Sequence, residues 1–139
     1  MPVKFFHEKK TRVIKSKALK LFIASIFNKE AKALDTLTYI FCSDSYLLNI
    51  NRQYLQHDFY TDIISFNLSD HPDSPVIGEI YISTERVKDN ASIHHTNFEQ
   101  ELHRVIFHGA LHLCGYKDKT KVQQKEMRTK EDFYLSKYG

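Results

Sequence analysis

The sequence predicts an α+β fold, a small mixed β-sheet covered by helices. Three observations predict it. Short runs rich in β-branched and aromatic residues are interleaved with stretches of helical spacing, but not in strict β-α-β order. Only three prolines and four glycines interrupt 139 residues, with no repeat, linker or low-complexity tract. Apolar residues make up 42% and charged residues 27%, the balance of an ordinary globular chain. A chain of this length buries enough surface to fold without staples, so residues 1–139 are expected to form one domain.

The elements follow in order. VKFF, residues 3–6, is a short strand. From Thr11, an acceptable N-cap, apolar residues fall at Ile14, Ala18, Leu21, Phe22 and Ile26, which is helical spacing. TLTYIFC, residues 36–42, has the composition of a strand. SDSYLLNINRQYL opens on capping residues and carries Leu47, Ile50 and Tyr54, so it predicts a helix. DIISFNL (62–68) and VIGEIYIS (76–83) are two further strands, separated by the loop cluster SDHPDSP. Ser83 and Thr84 open a helix with Val87 and Ala91 on its inner face. Thr96 and Glu99 form an S/T-x-x-E capping box ahead of a helix that runs to about Cys114, with Gly115 in the left-handed position beyond it. A last amphipathic helix spans about Lys119 to Ser136.

Composition narrows the chemistry. Cys42 and Cys114 belong to no C-x-x-C pair, which excludes a thiol redox motif and a four-cysteine zinc site. Two cysteines are also too few for a disulfide scaffold, and a reducing cytoplasm is the plainer setting. The first residues lack the apolar core of a signal peptide, and no run approaches the length of a membrane span. The net charge of +3 permits a nucleic-acid partner without requiring one. Lysine and arginine are dense in 4–20 and 117–130, either as solvated helix faces or as an RNA contact.

The stretch HGALHLCGYKD, residues 108–118, carries the chemistry. On a helical wheel His108 and His112 lie about 40° apart at the edge of the apolar arc of Phe98, Leu102, Val105, Ile106 and Leu113. Two imidazoles one turn apart can reach one cation, and the negative end of the helix dipole favours that cation. Gly115 lets the chain turn back so that Asp118 can close the site, leaving a fourth position open as in catalytic zinc centres. The bland alternative is a histidine at the edge of the core bonded to backbone, and with eight histidines the H-x-x-x-H spacing alone is weak. Gly109 stands where an H-E-x-x-H protease has its general base, which speaks against peptide hydrolysis.

H-G-A-L-H-L-C-G-Y resembles the H-G-x-L-H-L-x-G-Y-D-H signature of the YbeY family of bacterial endoribonucleases. "LLNINRQYLQHDFYTDIISF" and "IGEIYISTERVKDNA" resemble two further family segments, in the family order, so the likeness covers about residues 47–118. It implies a compact α+β domain with zinc at the bottom of a cleft. It also implies metal-dependent cleavage of single-stranded RNA in rRNA maturation and ribosome quality control, with rRNA precursor and the ribosome or small-subunit assembly proteins as partners, in the cytoplasm.

Carried over residue by residue, His108, His112 and Asp118 take the three metal-ligand positions, Asp118 standing where the common form has histidine. A carboxylate there opens a zinc site to Mn²⁺ or Mg²⁺. Leu55 stands where the family has an arginine thought to handle phosphate; Arg52 and Arg86 are weak replacement candidates, and no catalytic acid or base is assigned. Lys117 replaces the aspartate of G-Y-D-H. Asp62 and Ser65 are expected to be scaffold shaping a cleft wall. The loss of the arginine keeps a second class in view, a non-catalytic RNA-binding assembly factor with a structural metal.

Overall fold

The structure, a computed structural model, describes every residue except Met1, Arg12 and Ile14. Its elements are β1 (Val3–His7), α1 (Ser16–Lys29), β2 (Leu34–Cys42), α2 (Asp44–Leu55), β3 (Ile63–Asn67), β4 (Val76–Ser83), α3 (Thr84–Ile93), α4 (Phe98–Leu113) and α5 (Lys121–Tyr138). The four strands form one sheet in the order β1-β2-β4-β3. β1 pairs with β2 and β2 with β4 in parallel; β3 runs antiparallel to β4, so the sheet is mixed as expected. Among the described residues no helix is long and apolar enough to cross a membrane.

Alternation along the strands divides two apolar layers. Leu37, Tyr39 and Phe41 of β2, with Val76, Ile80 and Ile82 of β4, face the main core against α1, α4 and α5. Cys42 and Ile64 face a smaller cluster sealed by Leu47 of α2. α4 is the central helix. It packs on β3 and β4 and is flanked by α1, α3 and α5, so burial extends nearly all the way round it. The buried Tyr39 hydroxyl donates to the Ile106 carbonyl at 2.8 Å and pins α4 to the sheet.

Two helix starts differ from expectation. α1 begins at Ser16 after Lys15 in a left-handed turn, and Thr11 instead donates its hydroxyl to the Lys9 carbonyl. Its inner face is Leu19, Ile23, Ile26 and Phe27, whereas Ala18 and Leu21 are exposed. Ile14 lies outside the described residues. α4 is capped by Asn97, whose side chain accepts from the Gln100 amide, and the expected Thr96–Glu99 box does not form. Thr96 donates its hydroxyl to the Gln100 side chain instead. The capping box that does form is Thr120 with Gln123, at the start of α5.

Candidate functional site

The site grows from the C-terminal half of α4. Gly109 sits where this helix crosses the sheet: a Cβ there would lie 2.8 Å from Ile80 Cδ1 and 3.0 Å from Ile63 Cδ1. The glycine lets the helix seat close to β3 and β4, which fixes the height of His108 and His112 above the sheet edge. The helix then ends in a Schellman turn. The Tyr116 amide donates to the Leu111 carbonyl and the Gly115 amide to the His112 carbonyl, both at 3.1 Å. Gly115 has φ +111, a conformation that L side chains avoid, and it reverses the chain as the sequence predicts. The reversal carries Asp118 back to His108.

The imidazoles of His108 and His112 lie nearly parallel, 17° between planes and 6.3 Å between centroids. Asp118 Oδ2 is 3.3 Å from His108 Nε2. Each Nδ1 is already engaged. His112 Nδ1 donates to the Tyr116 carbonyl at 2.8 Å, and His108 Nδ1 donates to Glu131 Oε2 at 2.7 Å. A carbonyl only accepts, so the His112 ring carries its proton on Nδ1 and leaves Nε2 as a lone-pair donor. Among the described residues no group of three or more His, Cys, Asp or Glu side chains is placed to hold a metal ion. Asp118 lies beside His108 Nε2 while the His112 ring stands 6.3 Å from that of His108; in type, two imidazoles with engaged Nδ1 atoms and one carboxylate are the donors that metal sites use.

Glu131 is the residue the sequence reading missed. It is buried on the inner face of α5 with Met127 and Tyr134. Arg104 donates to its other oxygen at 3.0 Å and to Asp132 at 2.7 Å, so the carboxylate holding His108 is itself held. The available signal was a glutamate at a core-facing position of an amphipathic helix, a placement that requires a partner. Burial disfavours the charged form of His108, yet the Glu131 hydrogen bond, with the charges of Glu131, Asp118 and Asp62, outweighs it and raises the pKa. Asp62 shows the opposite balance, its pKa raised by burial and partly offset by His108. Three carboxylates thus surround one imidazole, a field that favours a cation.

These groups line a cleft of about 790 Å³, shared with Asp62 and Ser65 of the expected wall. His112 is exposed and lines it. Arg52 is paired with Asp58 and Arg86 with both oxygens of Asp44, and neither lines the cleft. Leu55 does, together with the cations Lys119 and Arg128. A larger groove of about 1640 Å³ passes Lys9, Glu85, Phe98 and Tyr138 and holds none of the 108–118 site residues.

A family model described as "Endoribonuclease YbeY" matches residues 4–139. The chain is 47% identical over 133 residues to a Cytophaga hutchinsonii protein named Endoribonuclease YbeY, covering 95% of this chain and 92% of that one. It is 50% identical over 111 residues to the protein of the same name from Flavobacterium psychrophilum, covering 80% and 78%. A solution structure from Thermotoga maritima superposes with a TM-score of 0.69 at 31% identity, covering 98% of this chain and 88% of that one.

Proposed function

Because the chain belongs to the endoribonuclease YbeY family, we propose that the cleft holding His108, His112 and Asp118 is its nuclease centre, a one-cation site acting on single-stranded RNA in rRNA maturation and ribosome quality control. The chain is an endoribonuclease, and RNA is its substrate. The observation that carries the site assignment is the pair of engaged Nδ1 atoms, with Asp118 beside the Nε2 of His108.

His108, His112 and Asp118 would hold a divalent ion, which would supply Lewis acidity toward a phosphate oxygen and lower the pKa of a water. Imidazole ligands suit zinc, and the Asp118 carboxylate suits Mn²⁺ or Mg²⁺ as well. The chain's own contributions are positional. Glu131 fixes the His108 ring, Arg104 fixes Glu131, and the Tyr116 carbonyl fixes His112. Lys119 and Arg128 at the rim hold the RNA backbone, with an affinity that falls as salt rises. The assembly-factor reading with a structural metal is not favoured, since relatives this similar are named as endoribonucleases. Residues 1–139 acting as one domain, a cytoplasmic setting, and rRNA precursor with ribosomal or small-subunit assembly proteins as partners complete this proposal.

Metal content and RNA cleavage of wild type and Asp118→Ala test the site. Near-stoichiometric metal is expected in the wild type, with metal and cleavage both lost in a variant that keeps its circular dichroism. Full metal and full cleavage in Asp118→Ala would remove that residue from the site.

A further inference from the structure

The cleft that Lys119 and Arg128 line also carries an aromatic surface. Phe59 is 56% exposed. Its ring stacks on His57, 5.1 Å between centroids and 21° between planes. Both residues line the same cleft as His108, His112 and Asp118. We propose that Phe59, backed by His57, is the platform on which an unpaired RNA base stacks while its backbone lies in the cleft.

The loop is built to hold this ring out. Gln56, with φ 56, turns the chain off the end of α2. Asn51, 1% exposed, donates from its side-chain amide to the Phe59 carbonyl at 2.9 Å and accepts the His57 amide at 3.1 Å on its own carbonyl. The anchor grips the main chain, so any side chain at 59 would satisfy it. Structure alone therefore does not explain an exposed phenylalanine at that position. The next ring, Tyr60, is already covered by the Arg86 guanidinium at 5.2 Å, whereas Phe59 is left open on the cleft side.

The chemistry of the occupant follows from this lining. An aromatic face in a cleft that also carries two cations suits a base and its phosphate, the combination that single-stranded nucleic-acid sites use. A base inside a duplex has both faces stacked already and cannot use the platform, so Phe59 selects unpaired nucleotides. Leu55, 40% exposed in the same cleft, takes part as apolar surface, and the phosphate contact passes to Lys119 and Arg128. This inference rests on the endoribonuclease reading.

The test compares wild type, Phe59→Ala and Phe59→Trp in binding and cleavage of an unstructured RNA oligonucleotide, of the same strand in a duplex, and of versions with one base removed at successive positions. Phe59→Ala is expected to bind the unpaired strand about ten-fold more weakly, within the range of base–aromatic stacking, and Phe59→Trp to restore it. Removing the stacked base should weaken wild type by a similar factor and leave Phe59→Ala indifferent, the coupling that a merely structural role would not produce. Duplex binding should not change. Wild-type affinity in Phe59→Ala, or equal sensitivity of both proteins to every base removal, overturns the proposal and leaves a protein partner as the occupant of this wall. A wild-type chain that neither binds nor cleaves RNA overturns the endoribonuclease reading as well. The ring is exposed, so unchanged thermal melting of Phe59→Ala is the expected control.

Discussion

At the scale of single residues, Gly109 turns an apparent absence into a requirement. In the sequence it marks the missing general base of a metalloprotease. In the fold it is a close approach of α4 to the sheet, with Ile80 and Ile63 occupying the space of a side chain. Gly109→Ala is expected to cost about 1–3 kcal/mol by overpacking two isoleucines. A drop in urea midpoint should report it; an unchanged midpoint would mean that the helix seats more loosely than described. The histidine spacing and the Gly115 stop were legible because both are local, set by residues within one turn. Glu131 was only half legible: its core-facing position is a local signal that it needs a partner, but the partner, His108, lies 23 residues away in sequence and no local pattern names it.

At the scale of elements, the site is a joint between α4 and α5. α4 provides the imidazoles and α5 the carboxylate that orients one of them. Glu131→Gln keeps the shape but weakens the acceptor, and an outer partner of this kind is typically worth 10–100-fold in metal affinity. Titration with a chromogenic chelator should show a loss in that range, while Arg104 retains Asp132 and the helices stay packed. Affinity equal to wild type would make Glu131 a packing residue only. The elements themselves were largely legible, since each strand and helix carries a strong period. Their starts were less so. Thr96 and Asn97 are both capable caps, and the helix uses the second. Likewise the chain entering α1 turns through a left-handed Lys15, a backbone choice that no side-chain pattern announces.

At the scale of the whole molecule, one buried histidine ties stability to pH. His103 is 8% exposed, with Phe107 and Tyr138 against its ring. Burial lowers its pKa, and Glu99 offsets this only in part. The fold therefore prefers the neutral ring. This contribution is complete above the ordinary histidine value of about 6.5 and is lost as pH falls through the lowered folded value. In urea unfolding across a pH series, wild type should lose stability on acidification relative to His103→Gln; parallel curves would refute the assignment. The mixed sheet and its helical cover were legible from the order of elements, but the strand order was not, because pairing is decided by long-range packing. That pairing also governs time. Val3 must find Leu37 and Leu34 must find Val76, both in parallel, and contacts so distant in sequence are closed late and at high entropic cost. The seat of Gly109 consists of Ile80 and Ile63 on β4 and β3, so it does not exist until those strands have aligned. A collapsed chain with its helices formed but its strands unregistered would carry every histidine and still have no surface on which to arrange them. The proposed nuclease centre is thus expected to be a late product of folding, withheld from any misregistered form.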